Sequence, residues 1–206
     1  FGPDDTPRLV EREGATSLPV GVGRRLLSHV FGVELEIPSS RDLRFEFSVH
    51  PRRVGHRRGH VLVWEAESVR SVRLPADSSW PTNFSRVVGD KTFGLVLAHC
   101  VGANVPRTRV VNRRIAPFEF GTATGTEEWW LRTAPAQQTP GQFTSAPAWL
   151  DPFELLQNED REGAVASVLS QEAVAARFSG ATSMTTDGAV VVEGVSGIGD
   201  AFMLGE

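Results

Sequence analysis

Gly89-Asp90-Lys91-Thr92-Phe93-Gly94-Leu95-Val96-Leu97-Ala98-His99-Cys100-Val101-Gly102-Ala103-Asn104-Val105-Pro106 decides how this chain is read. Phe93, Val96, Leu97, Cys100 and Val101 recur at helical spacing from Lys91 onward, the pattern of a helix with one apolar face. Asp90 is placed to act as its N-cap and Gly102 as its stop signal. Val105-Pro106 then leads into Val110-Val111, a short buried strand. The unit reads as loop, helix, tight turn and strand.

Towards the C-terminus, Trp129 to Arg132 reads as a strand running into a loop of small and turn-forming residues, Thr133 to Gly141. Asp151 to Leu156 reads as a short helix with Asp151 as cap and Pro152 at its first position. Val165 to Leu169 and Ala189 to Val192 are strand candidates, and a Gly-rich stretch from Glu193 to Asp200 connects to Phe202-Met203-Leu204. Towards the N-terminus, Ser68 to Val88 reads as a connector, and Leu43 to Val49 with Val61 to Val69 as a hairpin with one buried face. An amphipathic helix is expected near Val22 to Val30, after a Pro-containing arm. Helices and strands intermingle, which points to a mixed α and β architecture.

The chain has 206 residues, 40% of them apolar and 22% charged, with a net charge of −4. That balance supports one packed core or two small ones, and it argues against disorder, a membrane span or a fibrous repeat. The one cysteine, Cys100, excludes an internal disulfide framework. A thiol in an apolar stretch reads as a small core residue and fits a reducing, cytoplasmic setting. The start at Phe1 offers no export signal, and the chain is expected to be a piece of something longer.

Charge is unevenly placed. Residues 41–114 hold fourteen basic and six acidic side chains, for +8, whereas 115–206 hold three and thirteen, for −10. Twenty of the twenty-one basic residues are Arg, so Lys91 is the only lysine, which suggests a position needing a compact ammonium. The hairpin tip, His50 to His60, packs three His and four Arg into eleven residues. It reads as a solvated turn, an anion or subunit contact, or a His metal site. No aromatic is interleaved for base stacking and no nucleic-acid motif is present, so nucleic acid is not the expected partner.

Four segments have the chemistry of a nucleotide site: Lys91 at a helix start, Arg132 at a strand end, Gln171-Glu172 after a buried strand, and the acidic Gly-rich turn from Glu193 to Asp200. Cations neutralise phosphate oxygens, and carboxylates hold Mg²⁺ or a ribose hydroxyl. Each also has a plainer reading. Lys91 could be an exposed helix residue, Arg132 a partner for Glu127 or Glu128, Gln171 and Glu172 strand-edge polar groups, and Glu193 and Asp200 turn carboxylates.

Taken in order, these segments resemble the ATP-binding region of the pyruvate phosphate dikinase and phosphoenolpyruvate synthase family, of the ATP-grasp class. Gly89-Asp90-Lys91 with Gly102 and Val105-Pro106 resemble its G-x-K helix and G-x-P-V-P turn. Leu131-Arg132-Thr133-Ala134 resembles V-R-S-S, Val168 to Val174 resembles V-x-V-Q-x-M-V, and Val192 to Asp200 resembles I-E-x-x-x-G-L-G-E. Thr108 stands where the dikinases usually have Gly.

The resemblance implies an α+β fold, ATP-grasp-like, with mixed sheets and helices, incomplete at the C-terminal end. It divides the chain into residues 1–88, a region of unknown role, and 89–206, the nucleotide-binding region. It further implies an ATP-dependent phosphotransferase or ligase component using ATP and Mg²⁺. Lys91 and Arg132 would neutralise the triphosphate, Gln171 and Glu172 meet adenine or ribose, and Glu193 with Asp200 orient sugar or metal. The acceptor substrate is unnamed, and downstream domains or a partner chain are expected to complete the enzyme. A nucleotide-binding regulatory module without turnover and a non-enzymatic interaction scaffold are the alternatives.

Overall fold

The computed structural model describes residues 16–37, 43–50, 53–68, 82–136, 145–147, 151–158, 160 and 163–199. The chain divides into two compact units, Phe1–Glu172 and Ala173–Glu206. The helices on either side of Gly89, which meets the expected boundary at 88/89, share one core.

The first unit is built on a five-stranded sheet of β3 (Thr108–Asn112), β4 (Phe118–Phe120), β5 (Trp129–Pro135), β6 (Ser145–Pro147) and β7 (Val165–Glu172). Their spatial order is β4-β3-β7-β5-β6, and every pairing is antiparallel. The fold is α+β. Helices α1 (Val20–Phe31), α2 (Asn83–Val88) and α3 (Asp90–Cys100) cover one face, and α4 (Pro152–Asn158) packs on β7. Alternation along the strands sends side chains to two apolar layers. Val110, Phe120, Ala134 and Leu169 join Leu26, Val88, Phe93, Val96 and Cys100 in the larger core. Leu131, Val165 and Val168 join Leu155 and Leu156 in the smaller one.

Polar groups stitch helices to sheet. Asn112 Nδ2 donates to the carbonyls of Val87 and Ala166 at 2.8 Å each, while its Oδ1 accepts from Arg114 N and Ile115 N. Ser167 Oγ donates to the Val88 carbonyl and lies 2.7 Å from Thr92 Oγ1. These buried groups are satisfied, as a stable interior requires.

Several local expectations change. Within the stretch expected to be a connector, α2 forms, started by a capping box in which the Thr82 side chain accepts from Ser85 N and Ser85 Oγ accepts from Thr82 N; Ser at the third position replaces the usual Glu. The N-cap of α3 is Gly89, not Asp90, with φ 86° and ψ 141° and no side-chain cap. A Cβ at Gly89 would lie 2.7 Å from Ala134 Cβ. Gly89→Ala therefore combines a left-handed backbone with a clash, and we expect a loss of about 1–3 kcal/mol, read as a lowered denaturant midpoint. The strand carrying Arg132 continues through Thr133 and Ala134, which pair with Val168 and Ser167; residues 137–141 of the expected loop lie outside the described residues.

Strands β1 (Leu43–Val49) and β2 (Leu62–Ser68) form the expected antiparallel hairpin. Its apolar face is not buried: Trp64 is 46% exposed. At the tip end, in the connection between the strands, the His60 ring packs edge-on against Phe31, with centroids 5.1 Å apart. Among the described residues no group of three or more metal-ligating side chains converges, and no helix is long and apolar enough to cross a membrane.

Across the seam between α1 and α3, the His29 and His99 rings meet edge to face with centroids 4.8 Å apart. Burial first, and His99 second, hold the His29 pKa below its ordinary 6.5, with Arg25 adding to this and Glu34 opposing it. The neutral ring is thus the form the fold favours, so its contribution is fully present above pH 6.5 and is lost as pH falls below that value. We expect the melting temperature to drop between about pH 7.5 and pH 5.5, and to drop less in His29→Gln. An identical pH response in both proteins would contradict this assignment.

In the second unit, β8 (Phe178–Met184) and β9 (Val190–Ser196) form an antiparallel hairpin around a turn in which Gly188 has φ 84°. Gly180 faces Gly194 across the ladder.

Candidate functional site

Lys91 lies in the first turn of α3, and Arg132 lies in β5. The close fit of Gly89 on Ala134 brings the helix start against this strand, and Lys91 Nζ reaches the Thr133 carbonyl at 3.4 Å. Lys91 is exposed overall. Partial desolvation of its ammonium, and second the nearby Arg132 guanidinium, nevertheless hold its pKa below the ordinary lysine value.

Arg132 Nε is buried and has no hydrogen-bond partner. Among the described residues no carboxylate forms an ion pair with Lys91 or Arg132, Glu127 and Glu128 included. Two like charges are thus brought together with a donor left unmet. This arrangement favours an anion, because an anion removes both the repulsion and the unmet donor. Asp90 Oδ1, in the same turn, is also buried without a partner. Sequence reasoning missed it by assigning Asp90 to capping.

Strand register divides the remaining candidates. Arg132 stands opposite Leu169 and Trp130 opposite Gln171, so Gln171 shares the sheet face of Arg132. Gln171 is buried and donates through Nε2 to Thr108 Oγ1 at 3.0 Å, and Thr108 in turn donates to the Pro106 carbonyl. A glycine at 108 would lack this hydroxyl, so Thr108 fixes the amide of Gln171.

Glu172 points to the other face. It is buried, and it accepts from Thr124 N at 2.7 Å and Thr124 Oγ1 at 3.2 Å, with Arg107 Nη1 at 3.4 Å. Beside it Arg109 lies over the Trp129 ring, 5.1 Å from the centroid. Glu172 is therefore part of a paired network on the opposite side from Lys91 and Arg132. Glu193 is exposed in β9 of the second unit, opposite Ala181, and Asp200 lies outside the described residues.

Comparison with protein-family models, with curated proteins and with solved structures gave no match. The functional reading consequently rests on the residues themselves.

The Lys91 shift has a consequence for binding. The ammonium deprotonates at a lower pH than an ordinary lysine, so any anion held by Lys91 would begin to be released at a lower alkaline pH than an unperturbed lysine would allow. Calorimetric titration with ATP across the alkaline range, compared with Lys91→Arg, reads this directly. The arginine variant should keep its affinity where the wild type loses it.

Proposed function

We propose that the first unit binds the phosphates of ATP between Lys91 and Arg132, as the nucleotide-binding part of an ATP-dependent phosphotransferase or ligase of the ATP-grasp kind. The observation that carries this reading is the closeness of the two cations, with Arg132 Nε buried and unpaired. The resemblance of Gly89-Asp90-Lys91 and Leu131-Arg132-Thr133-Ala134 to dikinase motifs supports the same pairing. Gln171, on the Arg132 face, would be the side-chain amide to meet another polar part of the nucleotide, through the oxygen that its bond to Thr108 leaves free of that contact.

Mg²⁺, when bound with ATP, would neutralise charge on the phosphate oxygens. Asp90 is the described residue whose unpaired oxygen suits a hard cation or its bound water. Because Glu172 is held by Arg107 and Thr124 on the opposite face, the second reading, a nucleotide-binding module without turnover, is also supported. A cytoplasmic setting, which supplies ATP and keeps Cys100 reduced, suits either reading.

Thermal melting with and without Mg-ATP tests binding. Ligand at about 100 times its dissociation constant should add roughly 2.7 kcal/mol of stability. No shift would refute the nucleotide site. Release of AMP or of ADP then separates dikinase-like from ligase-like or kinase-like chemistry, and stabilisation without release identifies the binding module.

A further inference from the structure

The β1–β2 hairpin has two features that the nucleotide site does not use. On one face the register sets Phe47 opposite Trp64 and Phe45 opposite Ala66. Phe45 lies 6.5 Å from Phe47 and 6.2 Å from Trp64 by ring centroid. At the tip, Arg53, His56, Arg57 and Arg58 are all exposed, and among the described residues no carboxylate pairs with these arginines.

The tip is also strained. Arg57 and Arg58 have φ of 53° and 59°, a conformation that costs a non-glycine residue about 1–2 kcal/mol. The adjacent glycines, Gly55 and Gly59, take the ordinary φ of −73° and −72°. Strain falls on the arginines, and the glycines are spared.

A small turn capping a two-stranded hairpin encloses no small ligand, since small-ligand sites are concave. No aromatic stands among the tip residues to stack a base. Arginine and aromatic side chains together are instead what dominates the energetics of protein–protein contacts. A complementary surface exists in the chain itself. In the first unit the carboxylates of Glu127, Glu128, Asp151 and Glu154 are exposed, and among the described residues no arginine pairs with them.

We propose that two copies of the chain dock reciprocally, the basic, aromatic hairpin of each against the exposed carboxylates Glu127, Glu128, Asp151 and Glu154 of the other. A two-fold axis makes the contact twice and closes the assembly. Attraction between exposed charges makes it salt-sensitive. None of the proposed nucleotide ligands takes part, so this inference stands or falls separately.

Sedimentation equilibrium of the full chain, at low and high salt, tests it alongside R57E/R58E and R57G/R58G. The expected result is a dimer whose dissociation constant rises at least about tenfold at high salt and again in R57E/R58E, with Mg-ATP stabilisation unchanged. R57G/R58G should melt higher, as the strain is relieved, yet associate more weakly. A chain that stays monomeric at every concentration and salt overturns the proposal. So does a dimer indifferent to both double variants, or a monomer whose tip binds nucleic acid instead.

Discussion

Lys91→Ala and Arg132→Ala should each weaken Mg-ATP binding by about ten- to a hundredfold, the loss of one charge-assisted hydrogen bond of about 1.5–3 kcal/mol. The fold should survive both changes. Lys91 is exposed at the start of α3, and truncation removes a charge that the structure holds against Arg132. Lys91→Met is the sharper control. It keeps the apolar stem and removes the desolvated ammonium, so the melting temperature should rise as ATP affinity falls. A lysine with only a structural role would lower the melting temperature on removal and leave ATP affinity unchanged. Unchanged affinity in both alanine variants, measured by calorimetry, would refute the assignment.

Phe93→Ala should have the largest effect on stability. The Phe93 ring is fully buried on the inner face of α3, 5.3 Å from the Phe84 ring by centroid, and it shares a core with Val88, Val96, Val110 and Leu169. Removing a ring from such a site costs about 3–5 kcal/mol, part for lost transfer and part for the cavity left behind. Against a typical domain stability of about 5–15 kcal/mol, this loosens the layer that seats α3 on the sheet. ATP binding should therefore fall with it. Phe93→Leu, which refills most of the space, should recover both properties. Chemical denaturation followed by tryptophan fluorescence reads the stability change, and a midpoint within error of wild type would show that the core tolerates the cavity.

The elements with strong periodicity were legible in the sequence. The 3.6-residue spacing of Phe93, Val96 and Cys100 marks α3, and all three are buried. Asp151-Pro152 marks the start of α4, where Asp151 Oδ1 accepts from Phe153 N at 2.8 Å. By contrast α2 starts on Thr82 and Ser85, residues equally at home in a loop, and its existence depends on burying Val88 against the sheet. Asp90 looked like a cap because its residue type suits one, but the approach of Gly89 to Ala134 is a tertiary constraint that no local pattern carries.

The candidate site was legible in part. Lys91 stood out as a lone lysine, and the register puts Arg132 and Gln171 on one face of the sheet. Glu172 could not be placed by chemistry alone. A single step along a strand reverses the face, so two adjacent polar residues that read as a pair are separated by the sheet. The hairpin was recognised from its alternation, but alternation says only that its apolar residues share a face, not that anything covers them.

The contact of Gly89 with Ala134 has a wider consequence. It is a fit of backbone on a methyl group, with no freely rotating part, so the distance between the helix start and the strand is set when the chain folds. In the proposed site the cations would reach out from anchored origins and would have less freedom to surrender to a phosphate, which is the advantage of preorganisation. Transplanting this site into another scaffold would thus require four residues, Gly89, Lys91, Arg132 and Ala134; a graft of the two cations alone would let them swing apart.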